Sequence, residues 1–381
     1  MKNFVVSARK YRPGTFDSVV GQEHITRTLK NAIKSQQLAQ AFLFCGPRGV
    51  GKTTSARILA KTINCENLTE DFEACNECKS CISFNSGNSL NINELDAASN
   101  NSVEDIRNLI EQVRYPPQSG TRKVYIIDEV HMLSNQAFNA FLKTLEEPPS
   151  YAIFILATTE KHKIIPTILS RCQIFDFNRI QVKDIAAHLE GIAKQEAISA
   201  EPEALHLIAQ KADGALRDAL SIFDLMVTFS PDRNITYTQV VENLHVLDHD
   251  YYFRLTEAFV SESTADALLI YDEILKQGFD GLNFLVGLGE HFRNLLMCKD
   301  PKTLPLLEVS ESIAQRFAQQ AQATAPALLV SGLNLVQQAE MDYKNAKNQR
   351  LHVEVLLIKL ANLTSAFNLN RLVSDLKKKL N

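Results

Sequence analysis

The octapeptide Gly46-Pro47-Arg48-Gly49-Val50-Gly51-Lys52-Thr53 constrains this chain more than any other segment. It fills every fixed position of the pattern G-x-x-x-x-G-K-[ST]. It also follows a short apolar run, Ala41–Cys45, and precedes a helix expected over Thr53–Ile63. A glycine loop between strand and helix closes its backbone N–H groups around a phosphate, at the positive end of the helix. Lys52 is then expected to reach the β- and γ-phosphates, and the Thr53 hydroxyl to bind Mg²⁺, with Thr54 next in the helix. The pattern predicts a chain that binds ATP and hydrolyses it.

Two further apolar runs read as buried strands, Val124–Ile127 and Ile153–Ala157. Between them Ser134 is a plausible N-cap. Phe138, Phe141, Leu142 and Leu145 follow the helical i, i+3, i+4, i+7 spacing, and Pro148-Pro149 stop the helix. Strands separated by helices predict an α/β domain whose parallel sheet is covered on both faces. From about Asn178 strand signals fade, and helical patterns cover Val182–Gln195, Glu201–Ala212, Leu216–Val227, Tyr237–Leu247 and Tyr251 to about Ala366. The expected division is an ATPase domain over 1–178, a small helical domain over 179–245, a second helical domain over 246–366, and a tail over 367–381.

Asp128-Glu129 closes the strand Val124–Ile127 at the sheet edge where ligand sites of α/β domains lie. Asp128 is expected to hold Mg²⁺ and Glu129 to polarise the attacking water. Thr159 follows the third apolar strand, and a hydroxyl there suits a hydrogen bond to that water or to the γ-phosphate. Arg171 and Arg217 read two ways from residue type alone. Each is an ion-paired or capping arginine, or a cation aimed at a γ-phosphoryl group.

Four of the seven cysteines, Cys65, Cys75, Cys78 and Cys81, fall in one short polar stretch. Four thiolates at that spacing make a closed tetrahedral zinc site, with redox or iron–sulfur roles as the alternatives. With no open coordination position the zinc is expected to be structural, and remote from the ATP chemistry.

The net charge of −4 excludes a strongly basic nucleic-acid binder. Residues 1–180 carry +3 and the remainder −7, which leaves room for a DNA-facing surface on the first part only. No apolar run approaches a membrane span, and the polar N-terminus does not read as a signal peptide, so the expected compartment is the cytosol.

The set of motifs resembles AAA+ ATPases. More narrowly it resembles the gamma and tau subunits of the bacterial DNA polymerase III clamp loader. The residues that carry the likeness are Ala8–Pro13, Val19–His24, Gly46–Thr53, the four-cysteine insert, Asp96–Ser99, Ile127–Leu133, Leu145–Pro149, Ala157–Thr159, Ser170–Cys172 and Gly214–Leu220. The resemblance implies that Thr159 is a first sensor and Arg217 a second sensor of nucleotide, and that Arg171 acts in trans on a neighbour's ATP. Tyr11, Arg12, Val19 and Val20 would enclose the adenine, and 246–366 would be an oligomerising collar. It also implies the partners: delta and delta-prime subunits, further copies of the chain, the beta sliding clamp and primer-template DNA, with single-strand binding protein reached, if at all, through other subunits. Nucleoid association follows from the same likeness. Where some members carry basic residues after Asp-Ala-Ala-Ser, this chain has Asn100-Asn101-Ser102, which leaves DNA phosphates to helix N-terminal amides and Arg107. The alternatives are another AAA+ motor, such as a branch-migration helicase or a replication factor C-like loader, and a non-catalytic clamp-loader scaffold. The cysteine insert argues against the former and the intact phosphate loop with Glu129 against the latter.

Overall fold

The computed structural model describes residues 6–117, 120, 122–244, 247–307, 309–363 and 365. The tail expected over 367–381, with its three lysines, lies outside them. The chain divides into two compact units, one ending at Ile235 and the other beginning at Thr236.

The first unit is built on the strands β1 (Ala41–Cys45), β2 (Ile92–Asp96), β3 (Lys123–Asp128), β4 (Ala152–Thr158) and β5 (Gln173–Asp176). They form one sheet in the order β2-β3-β4-β1-β5, and every pairing is parallel. Around it run α1 (Ser7–Lys10), α2 (Glu23–Lys34), α3 (Lys52–Ile63), α4 (Lys79–Asn85), α5 (Val103–Val113), α6 (Asn135–Glu146) and α7 (Pro166–Leu169). The central strands are apolar on both sides because each side faces helices. Phe42, Phe44, Ile126 and Ile155 pack with Leu29 and Leu59 on one face, while Leu43, Ile127, Phe154 and Leu156 pack with Ile106 and Phe141 on the other. Ser134 caps α6 by accepting the Ala137 N–H, as its position predicts.

Two strands escape the sequence pattern. Both β2 and β5 lie at the sheet edges and bury one residue each, Ile92 and Phe175, while Asn93, Glu94, Gln173 and Asp176 break the apolar run. The three strands expected for the sheet are therefore corrected to five among the described residues.

The unit continues through α8 (Val182–Gln195), α9 (Pro202–Lys211) and α10 (Leu216–Phe229). This part is not purely helical, since the two-residue strands β6 (Ser199–Ala200) and β7 (Asn234–Ile235) pair in parallel.

The second unit holds α11 (Tyr237–Asn243), α12 (His249–Val260), α13 (Thr264–Lys276), α14 (Gly281–Met297), α15 (Glu311–Ala323), α16 (Pro326–Tyr343) and α17 (Gln349–Ala361). Its core gathers Phe253, Phe259, Phe284, Phe292, Phe317, Leu329 and Leu357. Along the sequence the apolar positions of 328–336 and 351–360 read as more surface than one thin helical domain covers on itself, yet most are consumed here: Leu328, Val336, Val353, Leu356 and Leu360 are all buried within the unit. Leu351, Val355 and Ile358 of α17 remain exposed. Among the described residues no helix is long and apolar enough to cross a membrane.

One buried ionisable group makes this unit sensitive to acid. His291 is 1% exposed and its Nε2 lies 3.0 Å from Gln320 Oε1. Burial pushes its pKa down to about 3. The folded state therefore binds fewer protons than the unfolded chain, whose histidine titrates near ~6.5. That contribution is fully present above the unfolded pKa and is lost as pH falls from there towards the folded value. Relative to His291→Gln, the wild-type chain is expected to lose about 1.4 kcal/mol of stability per pH unit between about pH 6 and pH 4. Thermal melts of both chains at several pH values check this. Parallel curves would remove His291 as the cause.

Candidate functional site

The phosphate loop leaves β1, which lies between β4 and β5 in the sheet. Gly46 N donates to Thr158 O at 3.2 Å, which ties the start of the loop to the end of β4. Two glycines are there for space and dihedral. Gly46 has φ +148°, and a Cβ on it would meet Phe177 O at 2.4 Å. Gly51 has φ +102° and stands at the N-cap of α3. Side chains rarely adopt such angles.

Lys52, 5% exposed, donates through Nζ to Gly46 O at 2.8 Å and Pro47 O at 2.6 Å. Burial lowers its pKa, while Glu129 and Asp128 oppose the shift. An ammonium held in this way is stabilised by an added anion. The same holds for Arg12, whose pKa is lowered first by burial and then by the nearby Arg57.

Thr53 Oγ1 donates to Asp128 Oδ2 at 2.6 Å. The two expected Mg²⁺ ligands thus come from the first turn of α3 and the end of β3 onto one point, and hard oxygen donors suit that ion. Next to them Glu129 adopts φ +48°, ψ +44°. This left-handed conformation costs about 1 kcal/mol or more for a residue with a side chain, and such strain gathers at functional sites.

The Glu129 carboxylate is held by neighbours. Its Oε2 accepts from Thr159 Oγ1 at 3.1 Å and from Thr159 N at 3.4 Å. Thr159, expected to face water or phosphate, here orients the glutamate. His131 completes the cluster. Its Nδ1 lies 3.0 Å from Thr158 Oγ1 and 3.4 Å from Glu129 Oε2, and its Nε2 lies 3.2 Å from Glu160 Oε2. Sequence reasoning missed His131 as a site residue. The available signal was its place two residues after Glu129.

Lys52, Thr53, Asp128 and Glu129 border a cleft of about 490 Å³. Tyr11, Arg12, Val19 and Val20 wall it on one side; Arg48, Gly49, Val50, Gly51, Lys52, Thr53 and Thr54 form its floor, facing Asp128 and Glu129. Arg217 lines it from the start of α10, where its N–H donates to Gly49 O at 3.4 Å. Arg9, Ile180, Leu216 and Leu220 join the lining, and none of them was named from the sequence as a site residue. The Tyr11 hydroxyl donates to Glu196, the residue at the C-cap of α8 (Val182–Gln195). Among the described residues the lining holds five arginine or lysine side chains against two carboxylates, an excess that suits a polyphosphate.

Arg171 is not part of this cleft. It follows α7 and donates to Thr167 O at 2.7 Å and to Glu146 Oε1 at 2.7 Å. Arg107 pairs with Glu104 at 3.8 Å on an exposed face of α5.

The cysteines form a second centre. One sulfur from each of Cys65, Cys75, Cys78 and Cys81 lies within 4.8 Å of the others. Backbone N–H groups point at the sulfurs: Cys75 N at Cys65 Sγ (3.3 Å), Cys78 N at Cys75 Sγ (3.3 Å) and Cys81 N at Cys78 Sγ (3.5 Å). The N–H groups of Glu77 and Cys78 pull the Cys75 thiol down to about 6, whereas burial pushes Cys81 up. Four converging sulfurs with N–H donors fit a tetrahedral zinc ion, which would close the module. One zinc per chain is expected by elemental analysis of protein purified without added metal, falling to near zero in Cys75→Ser. Four titratable thiols and no zinc in the wild-type chain would exclude the assignment.

Three family descriptions match successive segments. Residues 21–181 match DNA polymerase III, delta subunit; residues 184–231 match the DNA polymerase III clamp loader subunit, ATPase lid domain; residues 235–376 match DNA polymerase III subunits gamma and tau domain III. The chain is 40% identical over 357 residues to the DNA polymerase III subunit tau of Bacillus subtilis, covering 92% of this chain and 62% of that one. It is 35% identical over 368 residues to the DNA polymerase III subunit gamma of Buchnera aphidicola, covering 95% of this chain and 98% of that one. Against several tau relatives it spans only 44% to 62% of their length. Among solved structures it is similar to the Thermotoga maritima RuvB Holliday junction branch migration motor, with a TM-score of 0.47 and 21% identity, over 64% of this chain and 78% of that one.

Proposed function

The chain belongs to the gamma and tau subunits of DNA polymerase III, and from that premise we propose that it is the ATP-hydrolysing motor of a clamp loader, opening a ring-shaped sliding clamp and placing it on primed DNA. The observation that carries the reading is the convergence of Lys52, Thr53, Asp128 and Glu129 on one cationic cleft, with Thr53 Oγ1 and Asp128 Oδ2 in contact at 2.6 Å.

Each residue then has a physical task. The loop amides and Lys52 bind the β- and γ-phosphates, Lys52 exchanging its bonds to Gly46 O and Pro47 O for phosphate oxygens. Thr53 and Asp128 would hold Mg²⁺, which supplies charge neutralisation to the phosphates when bound. Glu129 takes the proton of the attacking water, with Thr159 fixing its direction. Arg217 joins the helical segment 179–245 to the phosphate loop, so nucleotide state is felt by the lid. Arg171, remote from its own cleft, serves the ATP of the next subunit in a head-to-tail ring. The segment 246–366 is the collar, with exposed Leu351, Val355 and Ile358 of α17 as its contact surface. The partners are delta and delta-prime subunits, further copies of this chain, the beta clamp and primer-template DNA, in the cytoplasm on the nucleoid.

Glu129→Gln tests the motor reading. ATP binding is expected to stay within about threefold of wild type while hydrolysis falls by about 10²–10⁴, the usual worth of a positioned general base. Turnover that survives the substitution at its wild-type rate, measured by phosphate release from the assembled complex, would remove Glu129 from the chemistry.

A further inference from the structure

The four-cysteine module is tied to the wall of the nucleotide cleft by two buried side chains. Glu73 lies two residues before Cys75 and is 7% exposed. Its carboxylate leaves the module: Oε2 accepts from Phe16 N at 3.0 Å and Oε1 from Asp17 N at 3.2 Å. Lys30 of α2 pairs with Oε1 at 2.9 Å. Those amides open the single 3-10 turn Phe16–Ser18, whose next residues, Val19 and Val20, line the cleft. Val19 is 6% exposed and lies 3.8 Å from where a Gly51 side chain would begin, against the phosphate loop.

The second link runs through α3, the helix that starts at the phosphate loop. Lys61 is 5% exposed and donates to Asn76 Oδ1 at 2.8 Å and to Gly14 O at 3.1 Å. Asn76 has φ +64° and stands between Cys75 and Cys78, so its position depends on the cysteine turn. Both links end on residues 14–17. That segment is otherwise anchored by Phe16, 1% exposed in the core, by Lys30 bonding Asp17 Oδ1 at 2.6 Å and by the Thr15–Ser18 capping box, and the two links add the bonds that hold its backbone.

We propose that Glu73 is a positioning residue for nucleotide binding: it couples the four-cysteine module to the cleft wall formed by residues 11–20, so that metal occupancy at the cysteines sets affinity for the nucleoside part of the ligand. The proposal rests on the reading of the cleft as an ATP site. A buried carboxylate on two amides and a lysine is directional, because only its seated position satisfies all three donors. Loosening the module therefore releases the amides of Phe16 and Asp17, and Val19 and Val20 lose their register. The phosphate loop is held by β1, β4 and α3 and keeps its shape.

The test compares ligands with and without a nucleoside. A fluorescent ATP analogue and inorganic tripolyphosphate are titrated into the full chain as wild type, Glu73→Ala and Glu73→Gln, with zinc quantified in each sample. In Glu73→Ala the Kd for the ATP analogue is expected to rise about tenfold, while that for tripolyphosphate stays unchanged. Glu73→Gln, which keeps an acceptor oxygen but loses the charge facing Lys30, should fall between. As a second arm that needs no variant to fold, zinc is stripped from the wild-type chain by a mercurial and a chelator, then restored. Affinity for the analogue should drop about tenfold and return with the metal. Unchanged affinity in both arms overturns the coupling and leaves the module a local insert. A wild-type chain that binds tripolyphosphate but not the ATP analogue overturns the nucleotide site instead.

Discussion

Lys52→Ala is expected to weaken ATP binding by at least about a hundredfold and to bring hydrolysis to background. In the proposed site the ammonium bonds both terminal phosphates, and charge-assisted bonds of this kind are worth about 1.5–3 kcal/mol each. The expected effect on folding is small. Removing Lys52 leaves the Gly46 and Pro47 carbonyls without their donor, yet it also relieves an ammonium whose pKa burial has lowered. Calorimetric titration and phosphate release are the measurements, with a thermal melt to show that the chain is intact. Full DNA-stimulated hydrolysis by the folded variant would mean that the cleft is not the catalytic site.

Arg171→Ala is expected to leave ATP binding by each subunit unchanged while hydrolysis by the assembled complex falls by about 10³ or more, the range found for arginines that complete a neighbour's phosphoryl-transfer site. Magnitude separates this from the bland reading. Arg171 is exposed enough to pair with Glu146 only across the surface, and such a pair is worth at most about 1 kcal/mol. A stability change of that size with normal turnover would identify a surface ion pair. Mixing the variant with Glu129→Gln subunits sharpens the result: activity should return only at interfaces that join an intact Arg171 to an intact Glu129. The position after α7, outside its own cleft, is what a residue acting in trans requires.

Much of the site was legible in the sequence because its parts are local. The phosphate loop and the acids at the end of β3 are short motifs whose chemistry depends on residue order, and the close spacing of Cys75, Cys78 and Cys81 brings three of the four sulfurs together locally. Helix boundaries in the apolar, well-capped segments followed for the same reason, as with Ser134 before α6. The central strands announced themselves as continuous apolar runs because both of their faces are buried.

What the sequence could not determine depends on which distant segments meet. The edge strands β2 and β5 carry no apolar run, and they exist because β3 and β1 offer them open hydrogen-bonding edges. The role of Thr159 as the residue that aims Glu129, and the place of His131 between Glu129 and Glu160, arise only when β3 and β4 align in register. Arg217 reaches Gly49 because Gly214 and Ala215 return the chain to the loop from more than 160 residues away in sequence. Nothing in the order of residues singles out Glu73, and only packing shows that it leaves its own module to hold the amides of Phe16 and Asp17. The apolar positions of 246–366 showed the opposite bias: read in sequence they suggest surplus surface, yet helix packing buries most of them. Local chemistry is written in neighbouring residues, whereas orientation and burial follow from the sheet and helices that bring remote side chains within hydrogen-bond distance.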